Sequence, residues 1–374
     1  MKFNVSSTVL CNRLQTLSKV LSSKNSIQIL DCILFHLQQD KLTLTASDGE
    51  ITLVTSLDVN ESSGNGLFAA NAAQVINGLK EISEQPVQIS LNEDTYSIEI
   101  KYQNGSSNFI GQSGNEYPIP QQISDNTQTV SISSSVLQNG ISRAIFATAE
   151  DELRPVMNGV YFDFTEDSLT FVASDGHKLV RNRNMAIKSE RPTAFILPKK
   201  PARMLKDILT KEGGDAVIRF DESYAEIAVE NYILSCRLIE GRYPNYNSVI
   251  PNDNPYRVTI DRQAFIGALR RVLVFASSST SLVKLRIESN TLLVSAQDID
   301  FSTSAEEKIM CEYEGSPMNI GFKGPFLIDI LNGISSSEVI LELADPSRAG
   351  VVVPAEQDAD EDLLMLLMPM MLND

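Results

Sequence analysis

Asp175 and His177 stand two residues apart in the run Ser174-Asp175-Gly176-His177-Lys178. A carboxylate, an imidazole and a serine hydroxyl are the groups from which a hydrolytic triad is built. The rest of the chain argues against that chemistry. It contains no Gly-x-Ser-x-Gly elbow, and Ala46-Ser47-Asp48-Gly49 repeats the motif without a histidine. Asp-Gly at both places reads first as a turn. No Gly-x-x-x-x-Gly-Lys-[Ser/Thr] phosphate loop and no dinucleotide fingerprint occur. With only His36 and His177, a histidine-rich metal site is excluded, and no carboxylate loop of the calcium type stands out. Cys11, Cys32, Cys236 and Cys311 are scattered with no CxxC pair, which suits a reducing compartment. The expectation is therefore no catalytic residue, no metal, no cofactor and no disulfide.

Two other patterns suit binding. Leu366-Leu367-Met368-Pro369-Met370 sets methionines in an apolar stretch near the chain end. Methionine is flexible and polarizable, so a groove lined with it can repack around different peptides. The plainer reading is a last strand with its side chains in the core, Leu366 above all. The second pattern is charge. The chain carries −17, yet its helix-like segments 7–20, 70–82, 134–148, 198–211, 261–276 and 323–334 carry +9 between them, against −26 for the remainder. In 198–211, Met204, Leu205, Ile208 and Leu209 form an apolar face, with Lys199, Arg203 and Lys206 opposite and Lys200 beside them. On any one helix this is an ordinary solvated face. Repeated over several helices facing one space, it makes a positive interior within an acidic body, suited to a polyanion held by sequence-independent phosphate contacts.

The elements that must position these residues come in threes. Ala46-Ser47-Asp48-Gly49 returns as Ala173-Ser174-Asp175-Gly176 and more faintly as Ser295-Ala296-Gln297-Asp298, with aspartates 127 and 123 apart. Tyr117-Pro118, Tyr243-Pro244 and Met368-Pro369 keep the same beat, with prolines 126 and 125 apart. A period near 125 is far longer than a solenoid repeat, so each unit is expected to be a domain. Each repeat opens on a short alternating strand (Phe3, Val5; Val130, Ile132; Val258, Ile260), then a helix, strands, a second helix and more strands such as Val217, Ile218, Phe220. Pro198 and Pro201 suit a first helical turn. The class is α+β, with domains expected over 1–120, 129–246 and 256–374 and linkers in 117–128 and 243–256. Pro369 sits where a third linker would start, so the third repeat is expected to end in a free tail. The opening Met1-Lys2-Phe3-Asn4-Val5 alternates like a strand and lacks the apolar core of a signal peptide, and no apolar run approaches membrane-spanning length. A cytoplasmic protein is expected.

In this order the motifs resemble the bacterial DNA sliding clamps, the processivity subunits of replicative DNA polymerases. The likeness covers essentially the whole chain. It rests on Met1-Lys2-Phe3, Ile29-Leu30 after Lys24, Ser174-Asp175-Gly176-His177-Lys178-Leu179, Glu240-Gly241-Arg242-Tyr243-Pro244-Asn245-Tyr246, Ile320-Gly321-Phe322 and Met368-Pro369-Met370. The resemblance implies a head-to-tail homodimeric ring around double-stranded DNA, with helices lining the hole and antiparallel sheets outside. It implies an apolar pocket for short peptides of the replicative polymerase, the clamp loader, repair polymerases and ligase or mismatch-repair proteins. By position its walls would be Met157, Ser174, Gly176, His177, Lys178, Leu179, Pro244, Val249, Leu366, Leu367, Met368, Pro369 and Met370. For DNA it implies Lys24, Lys199 and Lys200, to which helix position adds Arg203, Lys206, Arg270 and Arg271. For the dimer seam it implies Val274 and Phe275 opposite Phe109.

Three departures stand out. Met371 precedes Leu372 where the family often has arginine, with Asn373-Asp374 beyond. Ser248 takes the place of a pocket arginine, and Pro155-Val156 replace tyrosines that often precede the pocket. The acidic run Asp358–Asp362 reads as a solvated loop. The rival readings are an acidic three-domain adaptor that never encircles DNA and, third, a hydrolase on Asp175 and His177.

Overall fold

The computed structural model describes residues 1–22, 27–118, 123–124 and 127–372. Among these are six α-helices: α1 Ser7–Ser18, α2 Ala72–Lys80, α3 Ser134–Ala144, α4 Lys199–Leu209, α5 Arg262–Leu273 and α6 Gly324–Asn332. They fall where the apolar spacing places them, two per repeat. Four of them leave a strand directly through a capping side chain, α3 among them with Ser133 Oγ accepting from Val136 N–H. Ser6 accepts from Val9 N–H, Asn71 from Gln74 N–H and Asp261 from Ala264 N–H, each satisfying a donor that the first helical turn would otherwise leave unpaired. Pro198 is not helical. It closes the strand Thr193–Pro198, and α4 starts at Lys199 with Pro201 in its first turn.

The chain packs as two compact units, Met1–Gln138 with Arg203–Leu238, and Asn139–Ala202 with Ile239–Asp374. The middle repeat contributes to both, because its strands join two different sheets. In the first unit a nine-stranded antiparallel sheet runs from Gln112–Ser113 to Gln128–Ser133. It continues from the first repeat into the second where Ile51–Asp58 pairs with Tyr232–Arg237, Thr52 opposite Ser235 and Ile51 opposite Cys236. A five-stranded sheet in the same unit ends at Gly105–Ile110, whose outer side carries no strand among the described residues. In the second unit a twelve-stranded sheet continues from the second repeat into the third where Lys178–Asn184 pairs with Glu361–Leu367, Lys178 opposite Leu367 and Leu179 opposite Leu366.

Alternation decides which side chains enter the core. Val87, Ile89 and Leu91 are buried on one face of Pro86–Asn92, and Val258 and Ile260 on one face of Tyr256–Asp261. In Asp215–Phe220 the inward set is Ala216, Ile218 and Phe220, so Val217, named with Ile218 and Phe220 in the strand pattern, points outward. Tyr117 and Tyr243 are both buried, anchoring the start of each connecting segment.

The acidic run is not simply a solvated loop. Within the second unit Arg143 pairs with Glu361, both almost wholly buried, and with the exposed Asp358, while Asp362 takes Arg181 at 2.6 Å. These pairs tie the outer end of Glu361–Leu367 to its surroundings.

Candidate functional site

Asp175 builds the turn on which the candidate groove rests. Its Oδ1 accepts the N–H groups of His177 at 2.8 Å and Lys178 at 2.9 Å, while Ser174 Oγ donates to Lys178 O and accepts from Gly176 N–H. Gly176 has φ +90°, a conformation that disfavours any side chain. The first repeat makes the same turn, with Asp48 Oδ1 accepting from Glu50 and Ile51 and Gly49 at φ +95°. The third keeps the aspartate, Asp298 Oδ1 accepting from Asp300 and Phe301, although Ile299 follows it. These aspartates are turn builders. His177 presents its backbone N–H to Asp175, and its backbone carbonyl accepts from Met368 N–H at 2.8 Å.

Lys178 departs most from expectation. Expected on the wall of a groove, its side chain is 5 % exposed. Its ammonium lies 2.5 Å from Asp175 Oδ2 and 3.8 Å from the centre of the Phe326 ring, which Lys323 approaches as well. Burial alone would raise the Asp175 carboxyl. The Lys178 ammonium and the N–H groups of Lys178 and His177 outweigh it and hold the carboxyl below its usual range. At Asp329 on α6, burial wins and raises the carboxyl against the pull of Lys178. A carboxyl lowered by folding stabilises the fold above its unfolded pKa, and that contribution disappears as pH falls through the lower folded value. Asp175→Asn keeps an acceptor for the turn but leaves the ammonium unpaired. It is expected to cost about 3 kcal/mol at neutral pH. Melting curves of the two proteins should lie several degrees apart at pH 7, and the gap should close only as pH falls below about 4 and through the lower folded value of Asp175. Coincident melting curves at pH 7 would show the pair to be energetically idle.

Beside this turn lies a cluster of Val172, Leu179, Tyr243, Tyr246 and Leu366, with Val156, Ile250 and Tyr161 packed against it. Tyr161 stacks on Tyr243 with centroids 4.6 Å apart, and Tyr246 donates to Asp163 Oδ2 at 2.8 Å. Burial raises both the Tyr243 and Tyr246 phenols, Tyr246 to about 12, so both stay neutral. Of the residues assigned to the pocket, Met157, Ser174, Lys178, Leu179, Leu366 and Leu367 are buried, and Leu366 is core as its plainer reading held. Gly176, His177, Pro244, Val249 and Met368 are exposed, with Pro369 and Met370 half-buried. The tail is not free through Met370, since Met370 N–H donates to Gly321 O at 2.8 Å. The second unit thus offers a buried apolar floor with an exposed rim of methionine, proline and valine.

The basic residues divide. Lys24 lies outside the described residues. On α4 the apolar face is buried, Lys200 and Arg203 are exposed, Lys206 is half-buried, and Lys199 pairs with Glu150 at 2.8 Å. On α5, Arg270 is exposed and Arg271 is held by Glu307 at 2.6 Å. On α1, Arg13 reaches Glu212 and Lys19 reaches Asp207. Several helix cations are therefore partly neutralised by carboxylates distant in sequence.

Large apolar side chains stand in solvent. In the second unit Val274 is 77 % exposed and Phe275 42 %, joined by Ile299 at 80 %, Phe301 at 78 % and Met310 at 71 %. Among the described residues the stretch Thr303–Met310 has a strand on one side only, because Thr303–Glu312 meets Tyr256–Asp261 just at Cys311 and Glu312. In the first unit Phe109 is half-buried on the edge strand Gly105–Ile110, and Ile110 beside it is 75 % exposed. Ile110, Ile299, Phe301 and Met310 escaped the sequence reading, because nothing local distinguishes an exposed apolar residue in a strand or turn from a buried one.

Comparison with known proteins accounts for the whole chain. Residues 1–121, 131–245 and 247–371 match in turn the N-terminal, central and C-terminal domain models of the DNA polymerase III beta subunit. A curated relative, the beta sliding clamp of Pseudomonas putida, is 25 % identical over 373 residues, covering 100 % of both chains. Among solved structures, the sliding clamp of Pseudomonas aeruginosa bound to griselimycin has a TM-score of 0.92 at 24 % identity, and the beta subunit of Thermotoga maritima 0.88 at 24 %, each covering 100 % of both chains. These structures share the fold. No helix among the described residues is long and apolar enough to cross a membrane. With three models of one family matched in order from end to end, the chain belongs to the DNA polymerase III beta subunits, the bacterial sliding clamps.

Proposed function

We propose that two copies of this chain close head to tail into a ring around duplex DNA and tether the replicative polymerase and other replication and repair proteins to it. The serial match of all three domain models carries this reading. The repeats, taken as domains over 1–120, 129–246 and 256–374, form half of the ring, and two copies complete it. At each seam the edge strand Gly105–Ile110 of one protomer meets Thr303–Met310 of its partner, with Phe109 against Val274 and Phe275, so that two unpaired sheet edges satisfy each other. Short peptides dock on the floor beside Asp175-Gly176, between His177 and the Met368–Met370 segment. Tethering raises the local concentration of a bound enzyme without any new contact to DNA. The chain performs no covalent chemistry and works in the cytoplasm. Its motion along DNA follows from weak, sequence-independent phosphate contacts through Lys24, Lys199, Lys200, Arg203, Lys206, Arg270 and Arg271.

The test is retention on primed circular DNA after loading with a clamp loader and ATP, followed by cutting the circle. Retention on circles and release on linearisation is the expected result. Equal retention on both forms would reduce the interaction to ordinary charge attraction. Lys199→Ala with Lys200→Ala removes two lysines from each of the two protomers and should lower the slope of log affinity against log salt by up to about four for direct binding. An unchanged slope would remove both lysines from the DNA face.

A further inference from the structure

We propose that the first unit carries a second recognition pocket, which takes a lysine or arginine side chain from a peptide segment of a partner protein. A cavity of about 170 Å³ opens there against the turn Ser47–Glu50. Its walls are the internal counterparts of the groove in the second unit. The two turns share their hydrogen bonds: Ser47 Oγ donates to Ile51 O as Ser174 Oγ does to Lys178 O, and each serine accepts from the glycine two residues on. Sheet register extends the match. Ser235 lies opposite Thr52 as Leu366 lies opposite Leu179. Pro118 follows the buried Tyr117 as Pro244 follows Tyr243, and Ile123 stands five residues beyond as Val249 does.

The framework is kept and the chemistry is changed. Where the second unit fills this place with Leu179 and Leu366, the first has Thr52 and Ser235, smaller and polar, and so leaves a void. Ser47 and Thr52 hydroxyls bond each other at 3.0 Å and are already engaged. Cys236 is buried, and burial pushes its thiol up to about 12, so it stays protonated and offers no nucleophile. What remains for an occupant is the exposed Glu50 in place of His177, the half-buried ring of Tyr224 and the half-buried Ser235 hydroxyl. Beside Tyr224, Asp221 adds negative charge, its carboxyl held low because the N–H groups of Ser124, Ser223 and Tyr224 outweigh burial. A carboxylate and an aromatic face recognise a cation, by charge-assisted hydrogen bonding and by attraction to the ring. The volume falls below the range of drug-sized pockets, which limits the occupant to a single long side chain.

The experiment uses the full-length chain with labelled isoleucine methyl groups, observed by NMR while N-acetyl-arginine amide or N-acetyl-leucine amide is added. Ile123→Val assigns the reporting signal. The arginine derivative should shift the Ile123 methyl saturably and the leucine derivative should not. Glu50→Gln, at an exposed position, should weaken the arginine response roughly tenfold, and Ser235→Leu, which copies the second unit, should abolish it. An unmoved Ile123 signal, an equal response to leucine, or a response indifferent to Glu50→Gln would each overturn the proposal. None of these readouts depends on whether the Met368–Met370 groove binds peptides.

Discussion

A Phe275→Asp chain is expected to sediment as a monomer of 41.2 kDa and the native chain as the dimer proposed above. Phe275 and Val274 follow α5 directly and, with Ile299, Phe301 and Met310, leave more apolar surface in solvent than isolated surface residues account for. A carboxylate buried without a partner in such a seam costs several kcal/mol. A head-to-tail ring of two protomers has two identical seams, so the substitution acts twice on one association step. Dimerisation should weaken by more than roughly a thousandfold. Phe275→Leu, which keeps the apolar contact, should remain dimeric. If Phe275→Asp still sediments as a dimer at micromolar concentration, the seam lies elsewhere.

Removing residues 368–374 is expected to weaken binding of a fluorescent peptide from the replicative polymerase by roughly a hundredfold, through loss of the exposed Met368 and the half-buried Pro369 and Met370 from the groove rim. The fold should survive. The truncation ends after Leu367, so every pair between Lys178–Asn184 and Glu361–Leu367 stays in place. The hydrogen bonds lost are those of Met368 to His177 O and Met370 to Gly321 O, each worth about 1 kcal/mol. Anisotropy titration measures the first effect and thermal melting the second. Unchanged affinity with an unchanged melting point would take the tail out of the docking site.

Local pattern carried the helices, because each buries one face at a spacing the sequence displays. It also carried the aspartate turns, since a motif repeated at equal intervals declares itself. What local pattern lacks is any record of which strands meet. The pairing of Lys178–Asn184 with Glu361–Leu367 joins segments about 180 residues apart, and it decides that Leu366 belongs to the core and Met368 to the rim. The same gap explains the charges. Counting along the chain finds α4 and α5 basic but not that Lys199 faces Glu150 or Arg271 faces Glu307, nor that an acidic run ending at Asp362 answers Arg143 and Arg181. Lys178 was assigned a wall by its position in the resemblance alone. Its own side chain turns the other way, toward Asp175 and Phe326.

The turn that appears once in each repeat separates framework from message. An aspartate oxygen holding two successive N–H groups fixes the backbone whatever side chains follow. Gly49 and Gly176, at positive φ, stay tied to that turn, while the position after each, Glu50 or His177, can vary without cost to the fold. One copy carries Gly49-Glu50, another Gly176-His177 and the third Ile299-Asp300-Phe301. A tripled chain of this design can diversify what it displays at three fixed addresses while its architecture stays constant.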